Sequence, residues 1–317
     1  MHKANNGFFK DQRLVQYYDR YATYNGSDPY QAPATLNVIP HVEQHWGAYF
    51  HEGGMYSIIT ALVKLAEELG VKFIYNAEVL QLLLLFGKIN YLNVNGNLVS
   101  ADVVVSNMDV WFTYRKLLAD YPRLFPKKLL QQERSSSALV FYWGINKQFP
   151  NLDLHNIFFS DDYAAEFNHI WQQKDIYGDP TVYLNISSKY KPDDAPAGGE
   201  NWFLMINAPS NSGQDWDELV AAARQNILDK LSRVLGEDIR QLIISETILD
   251  PRGIESKTSA YQGAIYGASS NSRFAAFMRH ANKSSRIKNL YFCGGTVHPG
   301  GGIPLCLLSA KIVGDWV

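Results

Sequence analysis

The chain has 317 residues, 46% hydrophobic and 19% charged, which suits one large or two ordinary folded domains and excludes a disordered chain. With 29 basic against 31 acidic residues the formal net charge is -2, and no basic block of five or more residues occurs, so no field for nucleic acid is present. Two cysteines, Cys293 and Cys306, are too few for a disulfide framework and form no C-x-x-C pair, which points to a reducing, cytoplasmic setting.

The start, Met1-His2-Lys3-Ala4-Asn5-Asn6, lacks the apolar core of a signal peptide. The longest apolar run, Ala138 to Trp143, is far below the roughly 18 residues of a membrane-spanning helix, so a soluble or at most peripheral protein is expected. Over residues 1–50 the tyrosines Tyr17, Tyr18, Tyr21, Tyr24 and Tyr30, with turn signals at Asn25-Gly26-Ser27-Asp28-Pro29, read as helix, turn, helix. Met55, Ile58, Ile59, Leu62, Leu65, Ala66 and Leu69 then recur at helical spacing up to Gly70, the expected residue after a helix end. Strands are expected at 71–75, 79–86, 89–94 and 101–106, with breaks at Phe86-Gly87-Lys88 and at the tight-turn sequence Asn95-Gly96-Asn97. Further strands are expected at 138–143 and 181–186, and the Pro- and Gly-rich run 189–200 reads as an exposed loop. A second helix opens at Asp215-Trp216-Asp217-Glu218 and carries Leu219, Ala223, Ile227, Leu231 and Val234 to a stop at Gly236. The chain closes on a strand at 289–293, a glycine loop at 294–302 and a helix from Pro304.

That last stretch carries most of the chemistry. The glycines of Gly294-Gly295-Thr296-Val297-His298-Pro299-Gly300-Gly301-Gly302-Ile303-Pro304 let backbone come close to a ligand, and the helix behind them offers unpaired N–H groups and the positive end of its dipole. An anion or an electron-rich ring would sit well there; a glycine-rich turn in a tight corner is the plain alternative.

The stretch Asn289 to Leu305, followed by Ser309-Ala310-Lys311, resembles the C-terminal flavin-binding signature of the carotenoid (phytoene) desaturases. Upstream, Arg20 to Tyr30, Gly54-Met55, Ala66 to Val71, Glu78-Val79 and Ala101 to Asp109 resemble the same family in the same order. The resemblance implies a two-domain α/β (mixed α+β) flavoprotein of the FAD-dependent amine-oxidase and phytoene-desaturase type; the residue pattern alone supports only mixed α and β. It assigns 1–45 and 111–283 to a substrate domain, and 46–110 and 284–317 to a flavin domain. Carried over residue by residue, it places Val79 at the adenine side of FAD and Gly295, His298, Gly300, Gly301, Gly302, Ile303 and Pro304 around the flavin, with Ser106, Asn107 and Asp109 in a nearby turn. The family opens with a strand, a G-x-G-x-x-G turn and a helix that hold the pyrophosphate, and that spacing does not occur in these 317 residues. A truncated portion of such an enzyme, inactive alone and unable to retain FAD tightly, is therefore expected.

The implied reaction is desaturation of an apolar polyene such as phytoene, with peripheral contact to the membrane that dissolves it. A hydroxycarotenoid 3,4-desaturase, a flavin amine or porphyrinogen oxidase, and a non-catalytic isoprenoid-binding protein of the same fold stay open beside it. A channel wall is expected from 111–283, with Phe141, Trp143, Phe158, Phe159, Trp171, Trp202, Phe203 and Phe277 as its large apolar groups. No catalytic acid or base stands out: His298 is a candidate proton acceptor or only an orderer of its loop. His41 and His45 stand four apart without the His-Glu-x-x-His order or an evident third ligand, so no metal is expected. Asp161-Asp162 and Asp193-Asp194 read as solvated loop charges, and Arg134-Ser135-Ser136-Ser137 lacks a G-x-S-x-G elbow.

Overall fold

The computed structural model describes residues 1–272 and 278–317; Phe277 lies outside the described residues. The strands in chain order are β1 (Val79–Leu85), β2 (Lys88–Val94), β3 (Asn97–Ser100), β4 (Val104–Ser106), β5 (Ser137–Ile145), β6 (His155–Phe158), β7 (Val182–Asn185), β8 (Glu200–Ala208), β9 (Ile243–Leu249) and β10 (Leu290–Phe292). Helices and strands both contribute, as the mixed pattern required. The chain divides into two compact units, one of Met1–Asn37, Tyr75–Ser137 and Pro251–Val317, the other of Val38–Ile74 and Ala138–Asp250.

In the first unit β1, β2 and β3 form a meander. The Asn95-Gly96 turn has φ of 49° and 88°, the paired positive values that a two-residue hairpin needs and that asparagine and glycine tolerate best. β10 pairs in parallel with β4, Leu290 opposite Val104 and Phe292 opposite Ser106. Asn289, at the entry to β10, fastens this pair to the meander: its Nδ2 donates to Ile89 O (2.9 Å) and Asp102 O (3.0 Å), and its Oδ1 accepts from Ile89 N (2.8 Å). Leu82, Ile89, Val104, Leu118, Phe125, Leu290 and Phe292 form the core beneath. The N-terminal stretch is helical over Gln12–Asp19, capped by Asp11, and runs into a 3-10 turn to Asn25 with Gly26 left-handed.

In the second unit a five-stranded sheet has the order β6-β7-β8-β5-β9. The helix Trp216–Leu235 starts where expected, Asp215 accepting from Asp217 N and Glu218 N, and stops at left-handed Gly236. Its Ala223, Ile227 and Leu231 meet Leu139, Phe141, Trp143, Trp202, Leu204 and Ile206 of the sheet in one core. Val234, counted in the apolar stripe from sequence, is 51% exposed. Buried Lys230 leaves that helix to donate to Pro180 O (2.8 Å) and to pair with Asp179 (2.8 Å).

One local expectation fails. Residues 71–75 form no strand, and Val71, Phe73, Ile74 and Tyr75 are exposed: β-propensity alone does not make a strand where no sheet takes the segment in. The helix Tyr56–Glu68 forms as expected; none of its residues is buried, and Ile59, Leu62 and Leu65 stand exposed. The run 189–200 is less exposed than its composition suggests at its end: Glu200 is buried and accepts from Phe149 N (2.9 Å) and Trp202 Nε1 (2.8 Å) while pairing with Lys189 (2.6 Å).

Candidate functional site

Within the first unit the strand, glycine loop and helix read from sequence are in place: β10 ends at Phe292, and the final helix spans Ile303–Gly314 with Pro304 in its first turn. Ser309, fully buried on that helix, holds the start of the loop by accepting from Gly294 N (3.1 Å) and from Asn282 Nδ2 (2.9 Å). Asn282 Nδ2 also lies within bonding distance of Phe292 O (3.1 Å) and His298 O (2.8 Å). His298 N donates to His280 O (2.9 Å), whereas its ring is exposed and makes no hydrogen bond among the described residues. The backbone of His298 therefore orders the loop, and its ring is left available.

The glycines face different surroundings. A Cβ on Gly300 would lie 3.3 Å from Arg279 Nε, and one on Gly301 would enter the ring of Tyr266. At Gly302, with φ of 94°, the same construction meets open space. Gly302 caps the helix without any side-chain cap, so the first-turn N–H groups keep their capacity for an acceptor. Beneath the loop, buried Arg279 donates through Nη1 to Tyr266 O (2.7 Å) and Gly295 O (3.2 Å), and through Nη2 to Asn25 Oδ1 (3.4 Å). Neither Arg279 nor Tyr266 carried a local signal in the sequence.

The other carried-over residues serve nearby. Asn107 Nδ2 donates to Cys293 O (3.0 Å), and Ser106 Oγ bonds Thr113 Oγ1 (2.8 Å). Asp109 accepts from Trp111 N (2.7 Å) and Tyr261 N (3.2 Å), while Val110 N donates to Thr296 Oγ1 (3.2 Å) of the loop. Burial pushes the Asp109 carboxyl up against the opposing pull of Arg134. Burial likewise pulls the Arg134 guanidinium down, and this side chain lies 4.9 Å from the Tyr261 ring centre, with Tyr261 stacked on Trp111 at 3.6 Å. Val79 opens β1 on the meander and packs against the core there.

In the second unit a cleft of about 690 Å³ opens over the sheet, with Phe50, Tyr142, Phe203, Lys191, Asn201 and Thr247 among its walls. Tyr142 and Phe203 meet edge to face at 5.4 Å, and Tyr183 extends this aromatic surface to the far side of Phe203. Of the rings expected to line a channel, Phe203 faces the cleft and Trp143 and Trp202 reach it from the core. Phe141 is core alone, Phe158 packs against that core, and Phe159 and Trp171 belong to a separate small cluster. His41 and His45 do share a helix, Val38–Trp46, with rings 5.5 Å apart, and no group of three or more His, Cys, Asp or Glu able to hold a metal occurs among the described residues.

Residues 3–314 match the family described as flavin containing amine oxidoreductase. The chain belongs to that family. Within it, the chain is 52% identical over 312 residues to a 1-hydroxycarotenoid 3,4-desaturase of Flavobacterium sp. (strain P99-3), covering 98% of the chain and 64% of that protein. It is 37% identical to a 4,4'-diapolycopene oxygenase of Methylomonas sp., covering 97% of the chain and 62% of that protein. The chain thus spans about three-fifths of the length of these curated relatives. Among solved structures, an oxidoreductase from Methanosarcina mazei matches with a TM-score of 0.65 at 14% identity, over 97% of this chain and 65% of that one, a likeness of fold. Family membership and this likeness agree with the α/β flavoprotein architecture that the sequence resemblance implied.

Proposed function

We propose that the full-length protein is an FAD-dependent carotenoid desaturase, with residues 46–110 and 284–317 contributing most of the flavin domain and 1–45 and 111–283 most of the substrate domain. The observation that carries this is the helix start at Gly302: an open side, no side-chain cap and a glycine backbone, in a chain of the flavin containing amine oxidoreductase family. Gly295, His298, Gly300, Gly301, Gly302, Ile303 and Pro304 would hold the ring system and Val79 the adenine side. A bound flavin supplies the hydride acceptor. The first-turn N–H groups behind Gly302 favour negative charge at this point. His298, with its exposed ring, is the candidate to take the proton lost from the neighbouring carbon.

The substrate is a polyene, and the aromatic sheet surface of Tyr142, Phe203 and Tyr183 suits such a chain, since flat rings cover hydrocarbon without demanding polar partners. Identity of 52% to a 1-hydroxycarotenoid 3,4-desaturase supports a hydroxylated carotenoid over phytoene. Among the described residues no helix is long and apolar enough to cross a membrane, and peripheral docking from the cytoplasm is the proposed way to reach a lipid-dissolved substrate. Purifying the full-length protein and measuring flavin after gel filtration tests the reading. FAD near one per chain is expected, and a protein that takes up none when supplied with FAD would contradict it.

A further inference from the structure

Among the described residues, Arg279 is a cation without an anion. Its side chain is 6% exposed, and its hydrogen bonds run to two backbone carbonyls and one side-chain amide oxygen. No carboxylate pairs with it among the described residues, and the sequence 273–277, Arg-Phe-Ala-Ala-Phe, contains no acid. Burial alone lowers its guanidinium to about 10, so it remains charged at neutral pH. The three oxygens it binds are all neutral acceptors, so among the described residues nothing balances its charge. Such a charge is costly to bury unless something negative comes to it.

The guanidinium sits directly behind the glycine loop. It touches Gly295 O at one end, and its Nε lies 3.3 Å from the position of a Cβ on Gly300 at the other. Acids on the neighbouring segments are engaged elsewhere: Asp28, three residues after Asn25, binds Gln31 and Tyr30 N, and Glu133 binds Ser269 and Asn271, just after Tyr266 in the chain. Buried Arg20, whose charge is felt at Tyr266, adds to the same sign.

We propose that Arg279 supplies the fixed positive charge of the cofactor site, stabilising the negative charge that a bound isoalloxazine gains on reduction and so raising its reduction potential. The inference rests on the reading that the loop 294–302 holds a flavin, and it adds a charge from the floor of the loop to the field of the helix start. Arg279 touches the loop and not the reacting atoms, so its effect is electrostatic positioning and its signature is a potential.

The test uses full-length protein loaded with FAD, with parent, Arg279→Gln and Arg279→Lys compared for flavin content, melting temperature and two-electron reduction potential. Gln keeps a donor for the carbonyls and removes the charge; Lys keeps the charge and removes the fork. The expected result is a fall of at least tenfold in the equilibrium constant for reduction in Arg279→Gln, about 30 mV for two electrons, with Arg279→Lys within threefold of the parent. A Gln variant that retains flavin at the parent's potential would overturn the proposal. If the Gln variant binds no flavin, the Lys variant decides: a parent-like potential supports the role of charge, and a tenfold fall assigns Arg279 to loop shape alone. A parent that binds no flavin would overturn the functional reading, and the inference with it.

Discussion

The ring of Tyr266 fills the space that a Cβ on Gly301 would need. The absence of a side chain at this position therefore answers to the protein's own tyrosine, whatever its backbone contacts. Gly301→Val should cost about 1–3 kcal/mol through overpacking, read by urea unfolding. In a Tyr266→Ala background most of that cost should disappear, and an undiminished cost would refute the contact as its cause.

Gly302 is the contrasting position. Its surroundings are open, but its φ of 94° lies where a side chain is strained, so Gly302→Ala should cost about 1–2 kcal/mol. In the full-length protein the same change should also lower flavin occupancy, measured by the ratio of visible to ultraviolet absorbance. Occupancy equal to the parent's would place the cofactor contact elsewhere on the loop.

Asn289 joins the meander to the β10–β4 pair by three hydrogen bonds from a side chain only 6% exposed. Asn289→Ala leaves the buried N–H and C=O of Ile89 unpaired and should cost about 2–3 kcal/mol. Amide exchange at Ile89 should accelerate more than exchange in β8, which lies in the other unit. Equal acceleration at both places would mean that the loss is global.

Asp179 and Lys230 give a pH-dependent contribution in the second unit. Burial alone would raise the Asp179 carboxyl, but hydrogen bonds from Lys230 and Asp161 N, with the charges of Lys230 and Arg233, hold it below its ordinary value. A depressed carboxylate contributes stability that is present above its unfolded pKa of about 3.9 and lost as pH falls through the folded value. Lys230→Met should therefore cost about 2–3 kcal/mol at pH 7, and the difference from the parent should shrink below about pH 4. A difference that stays constant down to pH 3 would show that packing, not the ion pair, carries the effect.

Local signals in the sequence were sufficient where one short stretch determines the structure. Asp215 and Gly236 bracket their helix, Asn95-Gly96 makes its turn, and the glycine loop lies between strand and helix as read. Side-chain direction was harder to read. Phe141, Trp143 and Trp202 look like channel rings by composition, but strand alternation buries all three in the core, from which only the two tryptophans reach the cleft, and leaves Tyr142 and Phe203 on its side. Arg279 was invisible for a different reason: its partners are Asn25, Tyr266 and Gly295, and only the folded chain brings these segments together. The exposed apolar stripe of Tyr56–Glu68 shows the limit of periodicity, which predicts a helix and a face but not what covers that face.

The central claim is polyene desaturation, and the most direct measurement is the absorption spectrum of liposomes incubated with full-length protein and FAD. Liposomes carrying a 1-hydroxycarotenoid should show absorption moving to longer wavelength as conjugation extends, with phytoene as the comparison substrate. If neither polyene shifts while an amine or a porphyrinogen is oxidised by the same preparation, the carotenoid assignment is wrong and the protein is an oxidase of another substrate class within its family.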